Sequence, residues 1–155
     1  MTSLPSRGAV LLFAALALAG AACLDPGAPL LAPIDEAAPT VLRSRPAPAP
    51  DGGLGELPRG TDLEVVFSEQ MDPATLPPAF RLRSGDVDQP LRLAVPSLGR
   101  PSASDADVPF AVQASPIAGP LALGATYELV LSTRLADAQG NALAAEVRVP
   151  FRVVP

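Results

Sequence analysis

Asp62-Leu63-Glu64-Val65-Val66-Phe67-Ser68-Glu69-Gln70-Met71-Asp72-Pro73-Ala74-Thr75-Leu76 is the stretch from which the architecture can be read. Leu63, Val65 and Phe67 alternate with Asp62, Glu64 and Ser68, the two-residue period of a strand with one buried face. Val66 interrupts the polar side, so the strand is expected to have neighbours rather than a free edge. Asp72-Pro73 reads as a helix cap followed by proline in the first helical position, where a missing N–H costs nothing. The expectation is one helical turn from Pro73 to Leu76, with Met71 and Leu76 plugging the end of a core.

Working outward, the same alternation recurs. Thr40 to Arg45 is an expected strand closed by Pro46, and Ala47 to Gly60 a Pro/Gly-rich excursion. Ala79 to Arg83 places Phe80 and Leu82 inward, Gly85-Asp86 marks a turn, and Leu91, Leu93 and Val95 alternate along the next strand. Gly99 to Asp107 reads as a surface loop. Val108, Phe110, Val112 and Ala114 follow, then Tyr127, Leu129 and Leu131. Asp137 to Asn141 is a turn in which Gly140 can supply positive φ. Val147, Val149, Phe151 and Val153 form the last strand, with Pro150 implying an edge or a bulge. About seven strands without a helical period predict an all-β sandwich.

Three segments carry a family resemblance. Phe67, Met71, Asp72 and Thr75 lie in a Phe-Ser-Glu-x-Met-Asp-x-x-Thr segment. Leu121 to Tyr127 reads Leu-x-x-Gly-x-x-Tyr, and Asp137, Gly140 and Asn141 form Asp-x-x-Gly-Asn. In this order and spacing they resemble the bacterial Ig-like domain of the SbsA type over Pro39–Pro155. Departures are Gln70, where that family often has proline, and a longer loop before Val108. The resemblance implies an Ig-like β-sandwich with adhesive, structural or protein-interaction roles.

Composition narrows the function. Of 155 residues, 48% are hydrophobic but only 4% aromatic, so the core must come from Leu, Val, Ala and a few Phe. All 11 basic residues are Arg, the net charge is −5, and Arg81, Arg83 and Arg92 are interspersed with acids. Nucleic acid is not expected as a partner, since phosphate binding needs clustered positive charge. With no histidine, Ser-His, Cys-His and histidine-metal schemes are excluded.

The leader points to the envelope. Arg7 is followed by an apolar run of eleven residues, Ala9 to Ala19, the size of a signal-peptide core and short for a membrane span. It ends at Gly20-Ala21-Ala22-Cys23, and Cys23 is the sole cysteine. These residues resemble a lipobox, which implies acylation of Cys23 as the mature N-terminus. Cleavage after Ala21, leaving a free thiol, is the competing reading. Leu24 after the cysteine, in place of Asp, favours the outer membrane or cell surface over inner-membrane retention. Leu24 to Ala38 then reads as a proline-rich tether reaching about 45 Å when extended. The expected organisation is a signal peptide at 1–22, a lipid-anchored linker at 23–38 and the sandwich at 39–155.

Little chemistry remains. Glu69 and Asp72 could pair for acid–base work, but capping explains Asp72 better. Ser68 and Thr75 lack a partner base. Asp137, Asn141, Asp105 and Asp107 are oxygen donors for calcium, without EF-hand spacing. No cofactor is expected. The sequence therefore reads as a non-catalytic envelope lipoprotein presenting one Ig-like domain to an envelope or surface protein. The alternative is a ligand- or calcium-binding accessory lipoprotein of a surface or secretion complex.

Overall fold

A computed structural model describes residues 36–95 and 109–155. The expectations for the leader, Cys23, most of the linker, Asp105, Asp107, Val108 and the Gly99–Asp107 loop lie outside the described residues.

Two sheets face each other across one core. The elements in order are β1 (Val41–Arg45), β2 (Gly55–Pro58), β3 (Leu63–Phe67), α1 (Leu76–Ala79), β4 (Phe80–Ser84), β5 (Val87–Gln89), β6 (Leu91–Ala94), β7 (Phe110–Pro116), β8 (Thr126–Leu131) and β9 (Val147–Val154). One sheet runs β1-β3-β7-β6 and the other β2-β9-β8-β4-β5. The alternation drives this arrangement. Leu63, Val65 and Phe67 from one sheet and Leu82, Leu129, Leu131, Val149 and Phe151 from the other are buried. Phe67 meets Phe80 edge-to-face at 6.3 Å between centroids, joining the sheets at one end. Tyr127 stacks on Phe151 at 5.9 Å within the other sheet.

Val66 is buried as well, and β3 lies between β1 and β7, as its interrupted alternation requires. Met71 and Leu76 are each 2% exposed and close one end of the core.

Four local expectations need correction. The described residues contain nine strands, two more than the alternation indicated. One of the two is β2, which occupies part of the Ala47–Gly60 excursion and pairs in parallel with β9. Its Gly55 and Pro58 disguise it, because both residue types normally argue against a strand. The other is β5, only three residues long.

The helical turn comes later than Asp72-Pro73 indicated. Residues Leu76–Ala79 form it, with Thr75 at the preceding position and Pro77 in its first turn. Pro77 and Pro78 lack an N–H and fit only a helix start, so they draw the start onto Leu76. Asp72 instead caps the turn before the helix: its Oδ1 accepts from the Ala74 N–H at 2.9 Å.

Pro150 lies in an internal strand rather than at an edge. The β2 ladder begins opposite Phe151, one residue further on, so Pro150 occupies a position where that flank of β9 is still open.

Register also fixes the two poles. Val41 pairs with Phe67 and Phe67 with Phe110, so the start of β1, the end of β3 and the start of β7 share one pole. The Thr40 N–H donates to Ser68 Oγ at 3.0 Å, and the Ser68 N–H to the Thr40 carbonyl at 2.9 Å. Residues 36–40 therefore reach the sandwich at this pole. The connections Pro58–Leu63 and Pro116–Thr126 lie at the opposite, distal pole.

Candidate functional site

The motif residues converge, and they converge as a clasp. At the near pole, residues 70–75 lie against residues 136–141. Met71 and Asp137 form an antiparallel bridge. The Asp72 N–H donates to the Ala136 carbonyl at 2.9 Å and the Ala138 N–H to the Gln70 carbonyl at 3.0 Å. Thr75 Oγ1 accepts from the Ala136 N–H at 3.2 Å and donates to the Asp72 carbonyl at 2.8 Å. A hydroxyl suits this place because it donates and accepts at once.

Asp137 is the centre of the clasp. It is 1% exposed. Oδ1 accepts from the Gln139 and Asn141 N–H groups, each at 2.8 Å, and Oδ2 from Asn141 Nδ2 at 2.8 Å. The Gly140 N–H returns to the Asp137 carbonyl at 3.2 Å, and Gly140 has φ of 95°, which only glycine adopts freely. A carboxylate with three donors already in place is a fastener rather than a cation ligand. Among the described residues, no group of three or more acids or other metal-ligating side chains gathers around a common point.

Tyr127 performs a second fastening at the distal end. Its hydroxyl accepts from the Ala122 N–H at 3.2 Å, five residues upstream. The Gly124 N–H donates to the Val153 carbonyl and the Val153 N–H to the Ala125 carbonyl. A tyrosine tied back to upstream backbone at a strand start is a recurring corner of Ig-like sandwiches.

Ser68, Glu69 and Asp72 do not assemble a reactive centre. Ser68 Oγ contacts Glu69 Oε1 at 3.4 Å and holds Thr40, while Asp72 is engaged with Ala74. Sequence reasoning assigned Ser68 no role. Its part in holding residue 40 needs a pairing between distant strands that local sequence does not display.

Grooves among the described residues offer further surfaces. The distal one, about 210 Å³, has Leu57, Leu121 and Val153 in its floor and Arg59, Asp62 and Ser115 among its polar lining. Ser115 Oγ donates to Asp62 Oδ1 at 2.7 Å across it. Another, about 400 Å³, lies on the seam between sheets, with Phe80, Leu91 and Leu93 below and Arg81 and Asp88 at its sides. On the outer face of the β8–β9 pair, Arg148 bonds Glu146 at 2.7 Å and Glu128 at 3.0 Å. The Glu146 hydrogen bond and charge, joined by Glu128, raise the guanidinium above its ordinary value.

Two facing sheets, a tyrosine corner and a clasp between β3 and the segment before β9 define an Ig-like sandwich domain. The chain belongs to the bacterial Ig-like domain family, Big_5, whose model matches residues 35–153. Domains of this family are non-catalytic in general. Among solved structures, the N-terminal part of the bacterial S-layer protein SbsC is similar at 20% identity and a TM-score of 0.46. That likeness covers 76% of this chain and 24% of the other, so this chain spans about a quarter of that S-layer fragment. Among curated proteins, none matches the chain.

Proposed function

We propose that this protein is a non-catalytic envelope lipoprotein that holds one Ig-like domain away from the membrane and offers its distal surface to a protein partner. The supporting observation is polar: residues 36–40 join the sandwich at the clasp pole, whereas the Leu57–Leu121–Val153 groove opens at the other. A domain tethered from the first pole turns the second outward. Acylation of Cys23, after removal of the leader with its apolar run Ala9–Ala19, supplies the anchor, and the proline-rich segment from Leu24 to Ala38 supplies the reach. Acids and hydroxyls that chemistry would need are engaged as fasteners, which supports a binding role over turnover.

The test is metabolic labelling with a palmitate analogue, comparing the full-length wild type with Cys23→Ser. Label in the wild type alone, with loss of the Ser variant from the membrane fraction, is the expected result. Equal membrane retention with no label in either protein would refute the anchor and leave cleavage after Ala21. The non-catalytic part fails separately, on any turnover that Glu69→Gln abolishes in a still-folded protein.

A further inference from the structure

A sandwich has four edge strands, here β1, β6, β2 and β5. Each edge exposes a row of backbone donors and acceptors, and proteins usually blunt such rows with bulges, prolines, brevity or covering chain. Three of the four are blunted. In β1 the register slips between Val41 and Arg43. β2 ends in Pro58, which lacks a donor N–H, and the chain at residue 47 packs over its face at Gly55, where a Cβ would meet the Ala47 carbonyl oxygen. β5 is three residues long and is followed by Pro90.

β6 shares the brevity of β2 and the flanking Pro90 of β5, but its own row of donors and acceptors is uninterrupted. Its four residues carry no proline, and its ladder to β7 runs without a slip from Leu91↔Pro116 to Ala94↔Gln113. Among the described residues, no turn or loop hydrogen bond reaches its free side. Beside that side lies the seam groove of about 400 Å³, floored by Phe80, Leu91 and Leu93. Leu91 and Leu93 pack inward against the core, while Arg92 and Ala94 are exposed.

Charge indicates what fits. Ion pairs among the described residues engage Arg43, Arg83 and Arg148, and neither Arg92 nor Arg81 takes part in one. Arg92 stands on the outer face of β6, and Arg81 stands beside the groove.

We propose that the free side of β6 takes an extended segment of a partner polypeptide as a fifth strand of the β1-β3-β7-β6 sheet. Alternate apolar side chains of that segment enter the seam over Phe80 and Leu93, and the intervening acidic ones face Arg92. Backbone pairing supplies the attachment, and the apolar–acidic alternation supplies selection. The proposal goes beyond the presentation reading and stands without the lipid anchor.

The probe is a capped octapeptide alternating Val and Glu, titrated into the full-length protein carrying Cys23→Ser, with amide hydrogen exchange as the readout. Saturable binding with slowed exchange confined to Leu91–Ala94 is expected. Arg92→Glu should weaken that peptide about five- to tenfold and favour a Val–Lys peptide instead. A version with a central proline should not bind. Unchanged exchange in β6, protection at β1 instead, equal binding by Arg92→Glu, or equal binding of the proline peptide would each overturn the proposal. Protection that rises with protein concentration alone would assign the edge to a second copy of the chain, and would overturn it too.

Discussion

The near pole and the distal pole of this sandwich both carry polar residues and put them to different uses. At the near pole, Asp72, Thr75 and Asp137 point into backbone, and side chain-to-main chain bonds hold together segments some sixty residues apart. At the distal pole, Arg59 is exposed, Ser115 and Asp62 bond to each other across a groove, and the connections turn on Gly60 and Gly119. Polar groups bonded to buried backbone are hard to replace, because removal leaves donors without partners. Polar groups that bond across a wet groove can be exchanged for water at small cost. The first pole is therefore committed to the fold, whereas at the second only Tyr127 is so committed and the groove groups are free to vary with a ligand.

Substitutions can break that contrast. The largest effect belongs to Phe67→Ala, which removes a fully buried ring and its edge contact with Phe80. It should lower unfolding free energy by about 3–5 kcal/mol in a denaturant titration. An unchanged midpoint would mean that the near pole is not the core's closure. Asp137→Ala comes next, at about 2–4 kcal/mol, from three lost hydrogen bonds and N–H groups left buried without acceptors. Asp137→Asn should cost less, since one oxygen remains to accept. Gly55→Ala sharpens the comparison from the side of β2: the new methyl meets the Ala47 carbonyl, and displacing that chain should cost about 1–3 kcal/mol.

Ser115→Ala at the distal groove should stay within about 0.5–1 kcal/mol. Should it match Asp137→Ala, the difference between the poles would vanish. The smallest expected effect concerns pH. A raised Arg148 pKa contributes stability that is complete below the unfolded guanidinium value and is lost only as pH rises past it. Arg148→Lys should therefore leave the shape of a stability profile unchanged between about pH 5 and 9.

Much of this was legible in the sequence, for a physical reason. Strands with one wet face must alternate, so Leu63-Glu64-Val65 and the run from Val147 to Val153 display their orientation residue by residue. Val66 announced the central placement of β3 by breaking that rule. What stayed hidden depends on partners far along the chain. Gly55-Glu56-Leu57-Pro58 becomes a strand only because β9 offers it a parallel edge, and its own composition argues against it. Asp72 was read as a helix cap because a cap and a turn use the same carboxylate-to-N–H bond. Pro77 and Pro78 decided between the two. Thr75 showed no base nearby, yet its partner is the backbone of Ala136, which no local pattern reveals.

The position of β9 has a consequence for timing. Residues 147–154, the last strand in chain order among the described residues, sit between β2 and β8 inside their sheet. Until they arrive, β2 has no strand to pair with, and Leu57 has no Val153 beside it. Such distant pairings make the chain close slowly, since a long loop must be drawn in before any contact rewards it. A chain from which β9 has yet to emerge would therefore hold one sheet and an open half of the other.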